Sequence, residues 1–272
     1  MIDCIVWSKD RACQLDLLLR SIKDNFSFLN NINVLYKSSS DLFEQGYKKV
    51  IAKFPEVHFH KETSFKQNNK DIFNSFKTKY CMGFVDDNVV YNKIDINDFK
   101  KAIIVLDRGP KIHVLNLRLQ RDMTYNHPQN CYYPLPNFVQ NEPYLLWDWA
   151  IMDRMSEWGY PCCVDSYVYR TAYYKHCANN LQYSEPNSFE SQMSSIRPYE
   201  ESFMLGMLQS KILLIPNNLT QKGFTRHSSN AEYSVENLNK KYLSEFVIDT
   251  KNIYEVNNNA PHFEIPFQFI KE

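Results

Sequence analysis

Residues 80–91, Tyr80-Cys81-Met82-Gly83-Phe84-Val85-Asp86-Asp87-Asn88-Val89-Val90-Tyr91, decide how this chain folds. An apolar run delivers two adjacent carboxylates and an amide at its end, then returns to apolar residues. Two like charges held side by side away from water are costly unless a cation or hydrogen-bond donors neutralise them. Hard divalent cations take oxygen ligands of this kind, most readily where substrate phosphates complete the shell. A polar β-turn after a strand accounts for the same residues, because Asp and Asn favour turns. The elements around the stretch separate the two readings.

Upstream, residues 2–7 are β-rich, and Leu15, Leu18, Leu19, Ile22 and Phe26 then fall at helical spacing behind Asp10, a candidate N-cap. Further strands are expected over 32–36, 57–60 and 80–85, with weaker helical segments around 41–53 and 69–77. Strands alternating with helices imply a parallel α/β sheet, in which ligands bind beyond the carboxyl ends of the strands. Trp7-Ser8-Lys9-Asp10-Arg11 and Asp86-Asp87-Asn88 both fall at such ends. Trp7, Ser8, Lys9 and Arg11 are therefore candidates to contact base, ribose or phosphate, against the plainer alternative of a polar turn opening a helix. Lys37 and Ser38 occupy the equivalent edge after the second strand.

Downstream, Asp95 can cap a helix carrying Phe99, Ile103 and Leu106, and 111–117 reads as a strand. Residues 122–146 are irregular, with Pro128, Pro134, Pro136 and Pro143, and a loop this long in a compact domain is usually functional or mobile. The pattern then predicts a helix over 149–158, extended chain over 162–169 and a polar, patternless stretch over 178–198. Pro198 opens a predicted helix with Phe203, Met204, Met207 and Leu208, followed by a strand over 212–215 and a helix over 235–243 capped by Ser234. One domain over 1–249 is expected, with an N-terminal half (1–92) and a second half (93–249). The Asn-rich, then apolar tail over 250–272 drapes on the body.

The 31 basic and 31 acidic side chains cancel, which argues against a broad footprint for nucleic acid or anionic membrane. With 44% hydrophobic and 23% charged residues the chain is globular rather than disordered. No apolar run reaches bilayer-spanning length, and the start lacks a signal-peptide pattern, so a cytoplasmic location is expected. Seven scattered Cys with no Cys-x-x-Cys pair read as reduced thiols, not a disulfide scaffold or zinc site. Six Gly, none in a GxGxxG or GxxxxGK arrangement, weigh against a dinucleotide fingerprint or P-loop.

Taken together, Cys4-Ile-Val-Trp-Ser-Lys-Asp-Arg11 with its helix, and Phe84-Val-Asp86-Asp87-Asn88, resemble the nucleotide-binding half of GT-A-fold glycosyltransferases and their DxD-type metal motif. Arg197-Pro-Tyr-Glu200-Glu201-Ser-Phe-Met204-Leu-Gly-Met-Leu208 resembles the Glu-Asp motif of the large inverting family that includes cellulose and chitin synthases. Three further fragments, Leu115 to Arg121, Tyr160 to Thr171 and Leu238 to Leu243, are similar to little-characterised bacterial sugar-transferase-like proteins. Two positions depart from the motifs, Asn88 at the third acidic position and Glu201 as the second acid of the pair, and both keep oxygen ligands. The resemblance implies a GT-A-like, Rossmann-type, mostly parallel α/β sheet flanked by helices. The first half would bind nucleotide and metal, and the second half would bind the acceptor.

It also implies chemistry. A UDP-, GDP- or dTDP-sugar donor carries a diphosphate whose leaving charge Mn2+ or Mg2+ would neutralise as a Lewis acid. Asp86, Asp87 and Asn88 are the candidate metal ligands, with His227 as a late ligand, although a surface-loop histidine explains His227 equally. Arg226 and Lys222 would clamp phosphate oxygens, and Asp86 can instead hold ribose hydroxyls. Glu201 is the first candidate base for the acceptor hydroxyl, Glu200 the second and Asp165 a rival. The plainer role of the Glu pair is to complement a helix dipole. Trp147, Trp149 and Trp158 can form a sugar platform, though aromatics at this density are mostly core. The expected activity is metal-dependent, inverting transfer of a sugar to a hydroxyl of a glycan, lipid-linked or other acceptor. A binding protein that has lost turnover is the competing class; a nucleotidyltransferase is disfavoured by the sparse Gly.

Overall fold

The computed structural model describes residues 2–140, 142–220, 226–254 and 256–272. The chain runs β1 (Ile2–Lys9), α1 (Ala12–Asn25), β2 (Ile32–Lys37), α2 (Asp41–Lys53), β3 (His58–Lys61), α3 (Phe65–Ser75), β4 (Tyr80–Val85) and β5 (Asn88–Val90). It continues with α4 (Ile96–Arg108), β6 (Ile112–Asn116), β7 (Tyr125–Asn126), β8 (Cys131–Tyr132), β9 (Leu145–Asp148), β10 (Tyr167–Arg170), α5 (Thr171–Asn180) and α6 (Pro186–Ser195). The remainder is β11 (Phe203–Gly206), β12 (Ile212–Leu214), α7 (Val235–Leu243), β13 (Phe246–Ile248), α8 (Lys251–Tyr254) and β14 (Phe269–Lys271).

Eight strands form one sheet in the order β3-β2-β1-β4-β10-β6-β11-β9. β1 pairs in parallel with β2 and β4, β2 with β3, and β6 with β11, whereas β10 and β9 run antiparallel to their neighbours. This mostly parallel, helix-flanked α/β sheet is the one expected. Side chains alternate between two cores, as a sheet covered on both faces requires. Cys4 and Val6 of β1, Met82 and Phe84 of β4 and Leu115 of β6 join one core with α1, α2, α4 and α7. Ile5, Trp7, Cys81 and Val114 point to the other, with α3, α5 and α6. That second core also takes Trp147, Trp149 and Trp158, none more than 1% exposed, so the three indoles are core and not a sugar platform.

Several expected elements are corrected. Residues 199–208 form a 3-10 turn and then β11, not a helix. Met204 and Leu205 are buried on opposite faces of a strand lying between β6 and β9, so an apolar run was satisfied by the sheet. Residues 149–158 are irregular chain ending in a 3-10 turn, and Trp149 and Trp158 at its two ends enter the core without helical backbone between them. The patternless 178–198 stretch holds α6, opened by Pro186 at its first turn. Asp10 does not cap α1: its φ is 58°, and its Oδ1 accepts the Ser39 amide at 2.7 Å. Asp95 and Ser234 do cap α4 and α7, accepting backbone amides at 2.8–3.0 Å and 3.3 Å.

Candidate functional site

Parallel strands point their carboxyl ends the same way, so β1, β2, β4 and β6 release their loops at one edge of the sheet. β10 enters from that edge because it runs antiparallel, which brings Asp165 and Ser166, just before it, to the same place. A cavity of about 460 Å3 lies there, lined among others by Trp7, Ser8, Lys9, Arg11, Lys37, Asp86, Asp87 and Asp165. Eight of the expected site residues thus converge, from four separate stretches of chain.

Gly83 permits one of these approaches. A Cβ at this position would lie 2.1 Å from the Val164 carbonyl oxygen and 2.6 Å from the Trp7 ring. With hydrogen there instead, the 164–166 turn crosses β4 and Ser166 donates its amide to the Gly83 carbonyl at 3.0 Å. Trp7 is fixed beneath the cavity by its Nε1, which donates to Asn69 Oδ1 at 2.9 Å.

The acid pair is neutralised from within the chain. Arg11 Nη1 donates to Asp86 Oδ1 at 2.8 Å and to Asp87 Oδ2 at 3.0 Å, and the Lys9 amide donates to Asp86 Oδ2 at 2.9 Å. Burial, reinforced by Asp86 and Asp165, pushes the Asp87 carboxyl up to about 6 against the pull of Arg11. Asn88 is turned away from the cavity. Its Oδ1 accepts the Val85 amide at 2.8 Å and its Nδ2 donates to Asp165 Oδ2 at 2.7 Å, so it braces the strand end. A divalent ion bridging Asp86 and Asp87 would need the position that Arg11 holds; the pair as arranged does not fit one.

A second buried charge network adjoins the first. Asn116 Oδ1 accepts the amides of Arg118 and Leu119 at 2.9 Å, turning the chain sharply after β6 and sending Arg118 inward. The Arg118 guanidinium binds Asp165 Oδ1 at 3.2 Å and Glu157, whose other oxygen lies 3.3 Å from His262 Nδ1. Burial opposes ionisation of Glu157, but Arg118 and His262 outweigh it and hold this carboxyl down at about 2. Cys163, Asp165 and Glu190 are the three ligand-type residues that cluster among the described residues. The Cys163 thiol donates to Asp165 Oδ1 at 2.6 Å, and burial pushes the thiol well up, so Cys163 stays protonated beside the Arg118–Asp165 pair.

Glu190, on α6, lines the same cavity. It accepts the Tyr160 hydroxyl and the Val164 amide, each at 2.8 Å, both neutral donors. Burial raises its carboxyl above the usual range.

Other expected residues lie elsewhere. Glu200 and Glu201 precede β11, at the amino edge of the sheet. There Glu201 Oε2 lies 2.8 Å from His113 Nδ1 and 3.8 Å from Arg170 Nη1. The register of β11 against β6 places them on the side opposite Asp86, which removes them as bases for this cavity. Arg226 donates to Tyr125 Oη at 2.7 Å and Asn130 Oδ1 at 2.9 Å, on the β7–β8 hairpin. His227 follows it and does not line the cavity. Lys222 lies outside the described residues.

Residues that the sequence reading passed over are Arg118, Glu157, Glu190, Asn218 and His262. Arg118 had a signal, two residues past a strand end. Glu190 was hidden with its helix. Glu157, Asn218 and His262 come from irregular segments and carry no local pattern.

No family model matches the chain. It is 30% identical over 188 residues to the bifunctional glycosyltransferase pgtA of Dictyostelium discoideum, which covers 62% of this chain and 24% of that protein. The chain therefore spans about a quarter of that relative's length. Among solved structures, S. aureus TarS in complex with UDP-GlcNAc is 15% identical, with a TM-score of 0.48 over 85% of this chain and 61% of the other. The mannosyltransferase PcManGT from Pyrobaculum calidifontis, in complex with GDP-Man and Mn2+, is 11% identical, with a TM-score of 0.31 over 44% and 36%. Structural likeness at this level says nothing about chemistry. No helix among the described residues is long and apolar enough to cross a membrane. By sequence the chain is a relative of a glycosyltransferase, and its sheet is of the mostly parallel, helix-flanked α/β kind that was expected.

Proposed function

We propose that this chain transfers one sugar from a nucleotide-sugar donor to a hydroxyl acceptor, with inversion. The observation that carries the reading is the cavity at the carboxyl ends of β1, β2 and β4, walled by Asp86, Asp87, Arg11 and Lys9. Nucleotides bind at this edge of α/β sheets, with backbone amides and basic side chains facing the phosphates. Trp7, Ser8 and Lys37 lie on the same wall, and a UDP-, GDP- or dTDP-donor of the expected kind would rest against them.

Glu190 takes the role first expected of Glu201. A base must lie where the acceptor hydroxyl enters, with its oxygens not engaged by a fixed cation. Asp86, Asp87, Asp165 and Glu157 each face a guanidinium, whereas Glu190 is held by neutral donors and its carboxyl is raised. Its raised affinity for a proton suits it to take one from the acceptor hydroxyl. Inversion follows from a single displacement with this one carboxylate.

The test is release of sugar from each nucleotide-sugar donor by the full chain. Glu190→Gln is expected to retain nucleoside diphosphate binding while turnover falls about 100-fold or more. Full turnover by that variant rules out the base assignment. A sugar- or nucleotide-binding protein without turnover is the second reading, favoured by the closed pairing of Arg11 with both acids; nucleotide affinity with no released sugar would establish it.

A further inference from the structure

Arg11 stands where the motif resemblance puts a divalent ion, and it is firmly built in. Besides its bonds to Asp86 and Asp87, its Nε donates to Asn218 Oδ1 at 2.7 Å and its Nη2 to the Asn218 carbonyl at 2.5 Å. Four of the five guanidinium N–H groups are thereby committed. Asn218 is held in turn: its Nδ2 donates to the Tyr233 carbonyl at 2.6 Å, and Gln14 Nε2 donates to its Oδ1 at 3.3 Å.

The guanidinium is 6% exposed, so its charge is desolvated and depends on the two acids for compensation. A dication entering beside it would meet a fixed like charge in a medium that screens poorly. A dication replacing it would have to break all four bonds and strand the guanidinium. Lys9, two residues earlier, uses its backbone amide on Asp86 and sends its ammonium into the cavity, where it donates to the Thr220 carbonyl at 3.3 Å. An ammonium there can meet phosphate oxygens as a point charge.

We propose that Arg11 replaces the divalent cation at the acid pair and that Lys9 supplies positive charge to the donor diphosphate. Nucleotide binding is then independent of divalent ions. This inference rests on the nucleotide-sugar reading above and departs from the expected need for Mn2+ or Mg2+.

The experiment is calorimetric titration of the full chain with UDP, GDP and dTDP, each in EDTA and in excess Mn2+. The expected result is the same Kd in both conditions for whichever nucleotide binds. Binding that requires Mn2+ overturns the inference and leaves the proposed function standing. No binding of any of the three in either condition overturns both. Lys9→Met, a change at a partly exposed side chain, is expected to weaken binding in EDTA about tenfold; unchanged affinity overturns the role of Lys9. Arg11→Ala frees the acid pair, and its nucleotide affinity is expected to fall in EDTA and recover with Mn2+. Equal affinity of Arg11→Ala in EDTA counts against the replacement. Should that variant fail to fold, the wild-type titration and Lys9→Met decide the matter.

Discussion

Gly83 shows the site at the scale of one residue. It lies mid-strand, where glycine costs stability, and its missing side chain lets the 164–166 turn deliver Asp165 toward Asp86. Its neighbours are a backbone carbonyl and a pinned indole, neither of which can yield as a flexible side chain would. Gly83→Ala is therefore expected to destabilise the fold by about 2–3 kcal/mol, read from the urea midpoint. It should also weaken nucleotide binding, because the turn must lift; a wild-type midpoint would show that the crossing has room. Much at this scale was legible: Trp7, Ser8, Lys9, Arg11, Asp86 and Asp87 follow from strand ends alone. The pairing of Arg11 with the acids was not, because residues 75 and 76 apart meet only when β1 lies beside β4.

At the scale of elements, local rules worked where one turn of chain settles the matter. The caps of α4 and α7 were readable because a side chain and its amide lie within three residues of one another. Asp95→Ala is expected to lower the unfolding midpoint, measurable by thermal or urea unfolding, because two amides of the first turn lose their acceptor. Packing among helices is less forgiving. Asp16 on α1 is fully buried and pairs with Arg20 at 2.6 Å and Lys53 of α2 at 2.7 Å, while the Tyr242 hydroxyl of α7 donates to it at 3.1 Å. Asp16→Ala leaves Arg20 without its carboxylate and Lys53 with Glu272 alone, and a loss of about 2–3 kcal/mol is expected in chemical denaturation. The same tertiary control explains the errors over 149–158 and 199–208. Apolar runs there are satisfied by the sheet and the second core, which a helical period cannot distinguish from a helix face.

For the whole molecule, the two charge networks predict opposite responses to pH. Glu157 is held at about 2, below its ordinary 4.5, so its contribution is fully present above 4.5 and is lost as pH falls from there toward 2. Asp87 is raised from 3.8 to about 6, so the folded state binds its proton more tightly than the unfolded chain does. Stability therefore falls as pH rises from 3.8 to 6 on account of Asp87. A profile of Tm against pH should climb out of acid and then sag toward pH 6. Asp87→Asn should flatten the sag while leaving the acid limb in place. A sag unchanged in that variant would assign it to another group.

The sequence by itself determined the alternation of strands and helices, the edge at which the site lies, and most of the residues on its first wall. Hydrophobic period, caps and strand ends are local, and local physics suffices for them. Tertiary structure alone decided the rest. It chose the sheet order that carries Glu200 and Glu201 to the far edge and brings Glu190, Arg118 and His262 to the near one. It also settled what neutralises Asp86 and Asp87. The energy of a buried charge depends on whichever partner the fold places against it, and here that partner is Arg11.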